Sequence, residues 1–474
     1  MYEILSMYES SFAKITDKYF KASAWPTVEA IAPYVDYDHV FCLLYKEMYF
    51  RHIFARLTPS FEQRCASWEN YCELFGVILQ GNVNMQLPNL WLWEMVDEFI
   101  YQFQSFCLYR GKLSLKTPEE IEALKGAPAV WSVLGVVNYL QALADASGVV
   151  RILAAERGGE AGFSAKEGYD YHSSNVLRVL GYFSLVGLAR VHCLLGDYAG
   201  CLGALDAIDL DQPGLFTKVP GAHVTTLYYV GFAYLMARRY TDAIRSFNAT
   251  LVYIARHKAA HSRAAGYELM LKKQEQMFAL LAAAVALCPQ HKLLEDGVKS
   301  MLADKYSEKM VKMSGGDEGV YDELFSFACP KFITACPPNF DEPLASHSQE
   351  AYRLQLRLFL AEVRAAALLP LVRSFLKLYT TIPVAKLAAL MDFEEAALRQ
   401  TLLAMKSKAT VKEWRGGASA RDGQWVPTGD VDFFVDGDMV HVVDSKPQRQ
   451  FVFELTTAIE KQRELRSLLA AGAR

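Results

Sequence analysis

The sequence predicts a mainly α protein: a tetratricopeptide-like, right-handed array of helical repeats, then a winged helix, then one more helix at the C-terminus. Three observations predict it. Apolar residues recur at helical spacing through most of the chain up to about residue 330. Two stretches repeat one another at a fixed offset. Near the C-terminus the period changes from 3.6 to 2 across a hairpin turn.

Composition agrees with helix. The 474 residues include 29 glycines and 17 prolines, thin for an all-β chain that must turn every few residues. A hydrophobic content of 52% is enough to offset the entropy of folding, which excludes disorder for most of the chain. Lys and Arg number 49 against 53 Asp and Glu, a net charge of −4, so no bulk charge announces nucleic acid or an anionic membrane. At roughly 100–200 residues per domain, the division expected is 1–180 for an N-terminal helical region, 181–370 for repeats, 371–446 for the winged helix and 447–474 for the last helix.

The nine cysteines are scattered and none forms a C-x-x-C. Most sit in apolar words such as Phe41-Cys42-Leu43, where a thiol behaves as a small hydrophobe. The start, Met1-Tyr2-Glu3-Ile4, carries acid early and has no basic segment before an apolar core, so no secretory signal is expected. No uninterrupted apolar run reaches the roughly 18 residues that span a bilayer. A soluble protein of the cytosol or nucleus, with no membrane contact, is the expectation; the resemblance given below implies the cytoplasm.

The elements follow in order. Asp36 to Leu57 is strongly aromatic (Phe41, Tyr45, Tyr49, Phe50, Phe54) and reads as a helix buried between neighbours. Pro88 to Arg110 carries the stripe Leu90, Trp93, Val96, Ile100 and Phe103, widened by Trp91, Phe99 and Phe106. Such helices need partners on more than one side, which layers of helices supply. The repeat comes next. Ala189, His192, Gly196, Tyr198, Cys201 and Leu205 in one stretch correspond to Gly231, Tyr234, Arg238, Tyr240, Ala243 and Phe247 in the other, each pair 42 apart. Small residue, turn, aromatic, small residue and large apolar residue write a tetratricopeptide-like hairpin. The excess over a period of roughly 34 is assigned to an enlarged connection, Asp209 to Ala222, with its two prolines.

Cys336-Pro337-Pro338-Asn339 marks a loop, and a long helix with Leu354, Leu358, Val363 and Leu369 follows. Val372 to Tyr379, Lys386 to Met391 and Phe393 to Lys408 are the three helices of the winged helix, with Pro383 at a first turn and Asp392–Glu395 as a capping box. Val431, Phe433 and Val435 then alternate, Asp436-Gly437 turns, and Met439 to Val443 returns with Val440 and Val442. Last, Phe451, Leu455, Ala458, Gln462, Leu465 and Leu469 step by 4, 3, 4, 3, 4, a heptad seam with one polar member. A helix of this length is marginal alone and must dock on something.

Chemistry is sparse. His257 and His261 stand at i, i+4, yet Lys258 occupies the place where a zincin needs its Glu, and no third ligand is evident. Gly158-Gly159-Glu160-Ala161-Gly162 lacks the strand-turn-helix setting of a phosphate loop, and no G-x-S-x-G occurs. No enzyme, metal or cofactor is therefore expected. From Arg353 to Arg415 eleven basic residues face five acids. Protein packing is the favoured use of this domain. RNA contact through Lys386, Arg399, Lys406, Lys408, Lys412 and Arg415 is the alternative. Base-specific DNA binding is disfavoured, because Glu394 and Glu395 precede the third helix and no Arg, Asn and Gln cluster faces base edges.

A helical array running into a winged helix and a terminal helix resembles the architecture of PCI subunits, with the PCI module at about 241–446. The words are closer still. Leu90–Phe106, Gly181–Leu188, Val230–Met236 and Ser374–Ala388 strongly resemble matching stretches of the L-subunit family of eukaryotic translation initiation factor three, in order along the chain. That resemblance implies a non-catalytic scaffold subunit that supports assembly of the factor on the small ribosomal subunit, beside the K and E subunits. Strand edges at Val431, Phe433, Val435, Val440 and Val442 and the 451–469 seam would be its interfaces. A proteasome-lid or signalosome subunit stays the alternative, and a winged-helix DNA-binding regulator the alternative of another class. The start of the chain departs from many relatives by lacking an acid-rich extension, and the loops near Asn82 and Pro337 also differ. Contacts made by such an extension are not carried over.

Overall fold

A computed structural model describes residues 2–81, 83–159, 174–261, 266–289, 291–341, 347–417, 419–427, 431–444, 455–463 and 466. They divide into two compact units, 1–359 with 414–423, and 360–413 with 424–474.

Every regular element described in the first unit is a helix. The Phe61–Gln80 helix opens on a capping box between Ser60 and Gln63 and stops at Gly81, whose φ of +67° only glycine adopts cheaply. It packs with the Asn89–Gly111 helix around aromatic rings. Phe99 lies 5.1 Å from both Tyr71 and Phe75 and 5.3 Å from Trp131, and all four are fully buried. Trp131 is held at φ +48°, and its indole Nε1 donates to the Arg64 carbonyl at 2.9 Å.

No local pattern in the sequence marks the polar group beside this core. Glu47, fully buried, accepts from Tyr71 Oη at 3.2 Å and Trp91 Nε1 at 3.4 Å, and pairs with Arg51. Nearby, burial raises the Glu98 carboxyl to about 8, against the pull of Arg51.

The repeat is present as two helical hairpins, Val176–Leu194 with Tyr198–Ala204 and Pro220–Met236 with Tyr240–His261. Their turns correspond atom for atom. Gly196 (φ +82°) and Arg238 (φ +62°) are both left-handed. Asp197 N–H donates to His192 O at 2.9 Å and Arg239 N–H to Tyr234 O at 2.8 Å, the closure of a Schellman turn. Gly231 is small for a reason: a Cβ there would come within 2.5 Å of the Phe247 ring. The connection between the hairpins holds a short helix, Leu215–Lys218.

Val176–Leu194 is long and apolar enough to cross a membrane. It is the central helix of this unit, with buried residues on all of its faces, so its apolar girth is met by neighbouring helices.

Where the first hairpin has Asp197 as an N-cap, the second has Arg239, and the difference creates a clamp. Arg239 is 5% exposed; its Nη1 donates to the carbonyls of Ala420 (3.0 Å) and Arg421 (3.2 Å), and its Nη2 to that of Asp422 (2.8 Å). Its Nε donates to Asp242 at 2.8 Å, while Trp414 N–H donates to both Asp242 oxygens at 3.1 Å. This is how residues 414–423 belong to the first unit.

The second unit is a winged helix. Helices Leu369–Leu376, Val384–Met391 and Glu395–Lys408 enclose one apolar core with Ile382, Phe433 and Val440. Strands β1 (Thr381–Pro383), β4 (Val431–Asp436) and β5 (Met439–Asp444) form an antiparallel sheet in the order β1-β5-β4. Between them in sequence, β2 (Thr410–Glu413) and β3 (Gln424–Pro427) make a separate antiparallel pair. Among the described residues β4 is paired on one side only. The helix expected at the C-terminus is present over 455–463.

Candidate interaction surface

Among the described residues no group of three or more His, Cys, Asp and Glu side chains is arranged to hold a metal ion. His257 turns its Nδ1 to the Tyr253 carbonyl at 2.9 Å and lies 4.5 Å from the Tyr253 ring. The His261 side chain and the segment 160–162 lie outside the described residues. All nine cysteines are free thiols, and burial pushes Cys107 up to about 11 and Cys329 up to about 12. Thiols so held stay protonated and are poor nucleophiles.

The surface features gather on the winged helix. Register pairs Phe433 with Val442 and Val435 with Val440 across β4 and β5. Phe433 (3% exposed) and Val440 (0%) point into the core, and Val431 and Val442 pack against it. Val435 is 41% exposed. Strand alternation therefore puts a different set outward, one that the sequence reading did not select. Phe434 is 53% exposed and stacks on His441, ring centres 4.8 Å apart, with Val443 also exposed. The signal was available: in a strand, every residue skipped by the buried set faces the other side.

Val440 and Val442 belong to the middle strand. Val442 N–H donates to Thr380 O at 2.8 Å, so its backbone is committed to the β1 side. Among the described residues the outer strands of the sheet are β1 and β4, and Val431, Phe433 and Val435 lie on the second of these.

The basic residues largely knit the domain together. Arg399 bridges Glu395, Asp438 and the Gly437 carbonyl, fastening the third helix to the hairpin turn, and these acceptors raise its guanidinium further. Lys406 Nζ reaches Asp432 at 2.5 Å and Phe433 O at 2.8 Å, and holds the Asp432 carboxyl below its ordinary range. Lys408 Nζ pairs with Glu362 at 2.7 Å. Lys386 lies 5.9 Å from the Tyr379 ring centre, Lys412 is on β2, and Arg415 follows Trp414.

Of the heptad seam, Leu455 (59% exposed), Ala458 and Gln462 stand exposed on the 455–463 helix, with Ile459 (47%) beside them. Phe451, Leu465 and Leu469 lie outside the described residues.

The chain matches the protein family described as RNA polymerase I-associated factor PAF67 over residues 63–462. It is similar to proteins named eukaryotic translation initiation factor 3 subunit L. The likeness to the one from Nematostella vectensis is 44% identity over 454 residues, 95% of this chain and 86% of the relative. Those from Xenopus laevis and Homo sapiens are each 45% identical, covering 98% and 99% of this chain and 83% of each relative.

Proposed function

The chain belongs to the family of eukaryotic translation initiation factor 3 L subunits, and from that premise we propose that it is a non-catalytic scaffold subunit of that factor. In this reading it supports assembly of the factor and its binding to the small ribosomal subunit during formation of the preinitiation complex, in the cytoplasm. Its neighbours would be the K and E subunits. The β4 edge and the helix carrying Leu455, Ala458 and Gln462 would be the joining surfaces. Direct contact with ribosomal RNA would fall to the basic set Lys386, Arg399, Lys406, Lys408, Lys412 and Arg415.

One observation carries the reading: the likeness to subunit L runs along almost the whole chain rather than through a shared domain. Cosedimentation of the tagged full-length chain with small ribosomal subunits, insensitive to DNase, tests it. Absence from those fractions in cells that are initiating translation would contradict it. A second reading, association with RNA polymerase I, is favoured by the description of the matched family alone; it predicts nucleolar recovery with polymerase subunits instead.

A further inference from the structure

The segment 414–423, clamped by Arg239, also helps to enclose a cavity of about 300 Å³ within the first unit. The second helical hairpin supplies much of the wall. Leu227, Val230 and Tyr234 of the Pro220–Met236 helix, all buried, make it apolar, and Ala249 of the Tyr240–His261 helix is exposed at its rim. Trp414 and Ala420 complete it from the clamped segment. That part of the wall is fixed by the protein itself: the Ala420 carbonyl accepts from Tyr234 Oη at 2.9 Å and from Arg239 Nη1 at 3.0 Å. A site built in advance needs little ordering when it is filled.

The charges on the wall are of two kinds. Two arginines are committed to the protein. Arg157 Nη2 donates to the Asp206 carbonyl at 2.9 Å, and Arg245 Nη1 donates to the Trp414 carbonyl at 3.2 Å and lies 3.8 Å from Asp242. Asp209 and Asp211 are not so committed. Both are exposed at the rim, and the Asp211 N–H donates to Asp209 Oδ1 at 3.0 Å. Among the described residues no cation pairs with either carboxylate. Burial, and after it the neighbouring Asp209 charge, raises the Asp211 carboxyl. A positive group beside them would relieve that repulsion. We propose that the cavity binds a small organic cation, an apolar or aromatic body of about a dozen heavy atoms with one protonated amine. The body lies against Leu227, Val230 and Trp414, and the amine sits at Asp209 and Asp211. The cavity's size is at the lower end of ligand pockets, and a lysine stem of about four carbons would leave much of its apolar wall uncovered. A free molecule fits it better than a neighbour's side chain.

Phenylbutylamine, phenylbutanol and phenylbutyrate share one body and differ in charge, so they serve as probes. Binding to the full-length chain is read by ligand-observed NMR and by the rise in urea midpoint that a ligand of the folded state produces. Because exposed charge pairs are weak, the amine should bind only roughly fivefold more tightly than the alcohol, and the acid more weakly than either. Asp209→Asn with Asp211→Asn keeps the side-chain shapes and should erase the gap between amine and alcohol. Ala249→Phe, at an exposed helix position, should obstruct the rim and weaken amine and alcohol at least about tenfold. Equal binding of the three probes by wild type, or none, or tightest binding of the acid overturns cation recognition. So does an unchanged gap in the double variant. Full binding by Ala249→Phe places the probes elsewhere and overturns the cavity as the site. The amine should also bind the complex purified with the tagged chain from its cells. Loss of binding there means that a neighbouring protein fills the cavity, which overturns a free ligand.

Discussion

Replacing Arg239 by Met keeps most of the side chain's length and removes every polar contact it makes. The guanidinium spans three consecutive carbonyls, Ala420 to Asp422, and an aspartate, and both partners of the ion pair are almost wholly buried, Arg239 at 5% and Asp242 at 4%. Removing one member of such a pair costs about 3–5 kcal/mol, mainly because the other is left charged and buried. Here Asp242 keeps the Trp414 N–H at 3.1 Å, and Arg245 at 3.8 Å, so the lower end, about 3 kcal/mol, is expected.

The loss should depend on pH, and its sign follows from the carboxyl. Burial raises the Asp242 carboxyl above its ordinary value, with Arg239 pulling it back down. Without Arg239 the folded-state value rises further above the unfolded one. A group raised in the folded state stabilises most where it is protonated in both states and loses that contribution as pH climbs through its folded value. The deficit of the Met variant should therefore be smaller at pH 5 than at pH 7, and Asp242→Asn added to it should recover most of the loss. Urea unfolding of the full-length chain at both values measures this, with tryptic cleavage after Arg415 and Arg421 reporting release of the 414–423 segment. A loss under about 1 kcal/mol at pH 7, or the same loss at both values, would refute the reasoning.

Glu98→Gln should flatten part of the stability profile: between about 4.5 and 8 the unfolded carboxyl loses its proton while the folded one keeps it, so wild type weakens as pH rises, by at most about 1.36 kcal/mol per unit. Thermal melting at pH 5, 6.5 and 8 checks this, and identical slopes for the two proteins would count against it. Gly231→Ala should cost about 1–3 kcal/mol by driving a methyl into the Phe247 ring, read as a lower urea midpoint; an unchanged midpoint contradicts the close approach. Truncation after Ser445 should leave a folded, soluble chain that enters the factor poorly, because the exposed Leu455 and Ile459 have lost their role in a bundle with other subunits. Full-stoichiometry incorporation would remove that role. Gln462→Leu should preserve or strengthen helix binding while loosening partner choice, as a polar heptad residue fixes register at a cost in stability; unchanged selectivity in subunit exchange contradicts it.

Local patterns were legible in the sequence. The offset of 42 between the hairpins found turns that coincide at Gly196 and Arg238, and the change of period at Val431 found β4 and β5. Partners far apart in sequence were not legible. Nothing near Glu47 foretells Trp91, and nothing near Arg239 foretells carbonyls some 180 residues later. The same blindness affected charge. Arg399 and Lys406 read as a basic surface from spacing alone, whereas the folded domain brings Asp438 and Asp432 to them. Register decided which of these strands lies inside the sheet: Val442, named with the edge residues, is on the middle strand and bonded to Thr380, while β4 is an outer strand among the described residues.

The central claim is membership of a working initiation factor through scaffold contacts. Affinity purification of the tagged full-length chain from its own cells, with quantitative mass spectrometry of what remains after a salt wash, tests it most directly. The account predicts the other subunits of translation initiation factor three in near-equal amounts, the K and E subunits most resistant to the wash, with small-subunit ribosomal proteins at low salt. Recovery of proteasome-lid, signalosome or RNA polymerase I subunits with no initiation-factor subunits would contradict it.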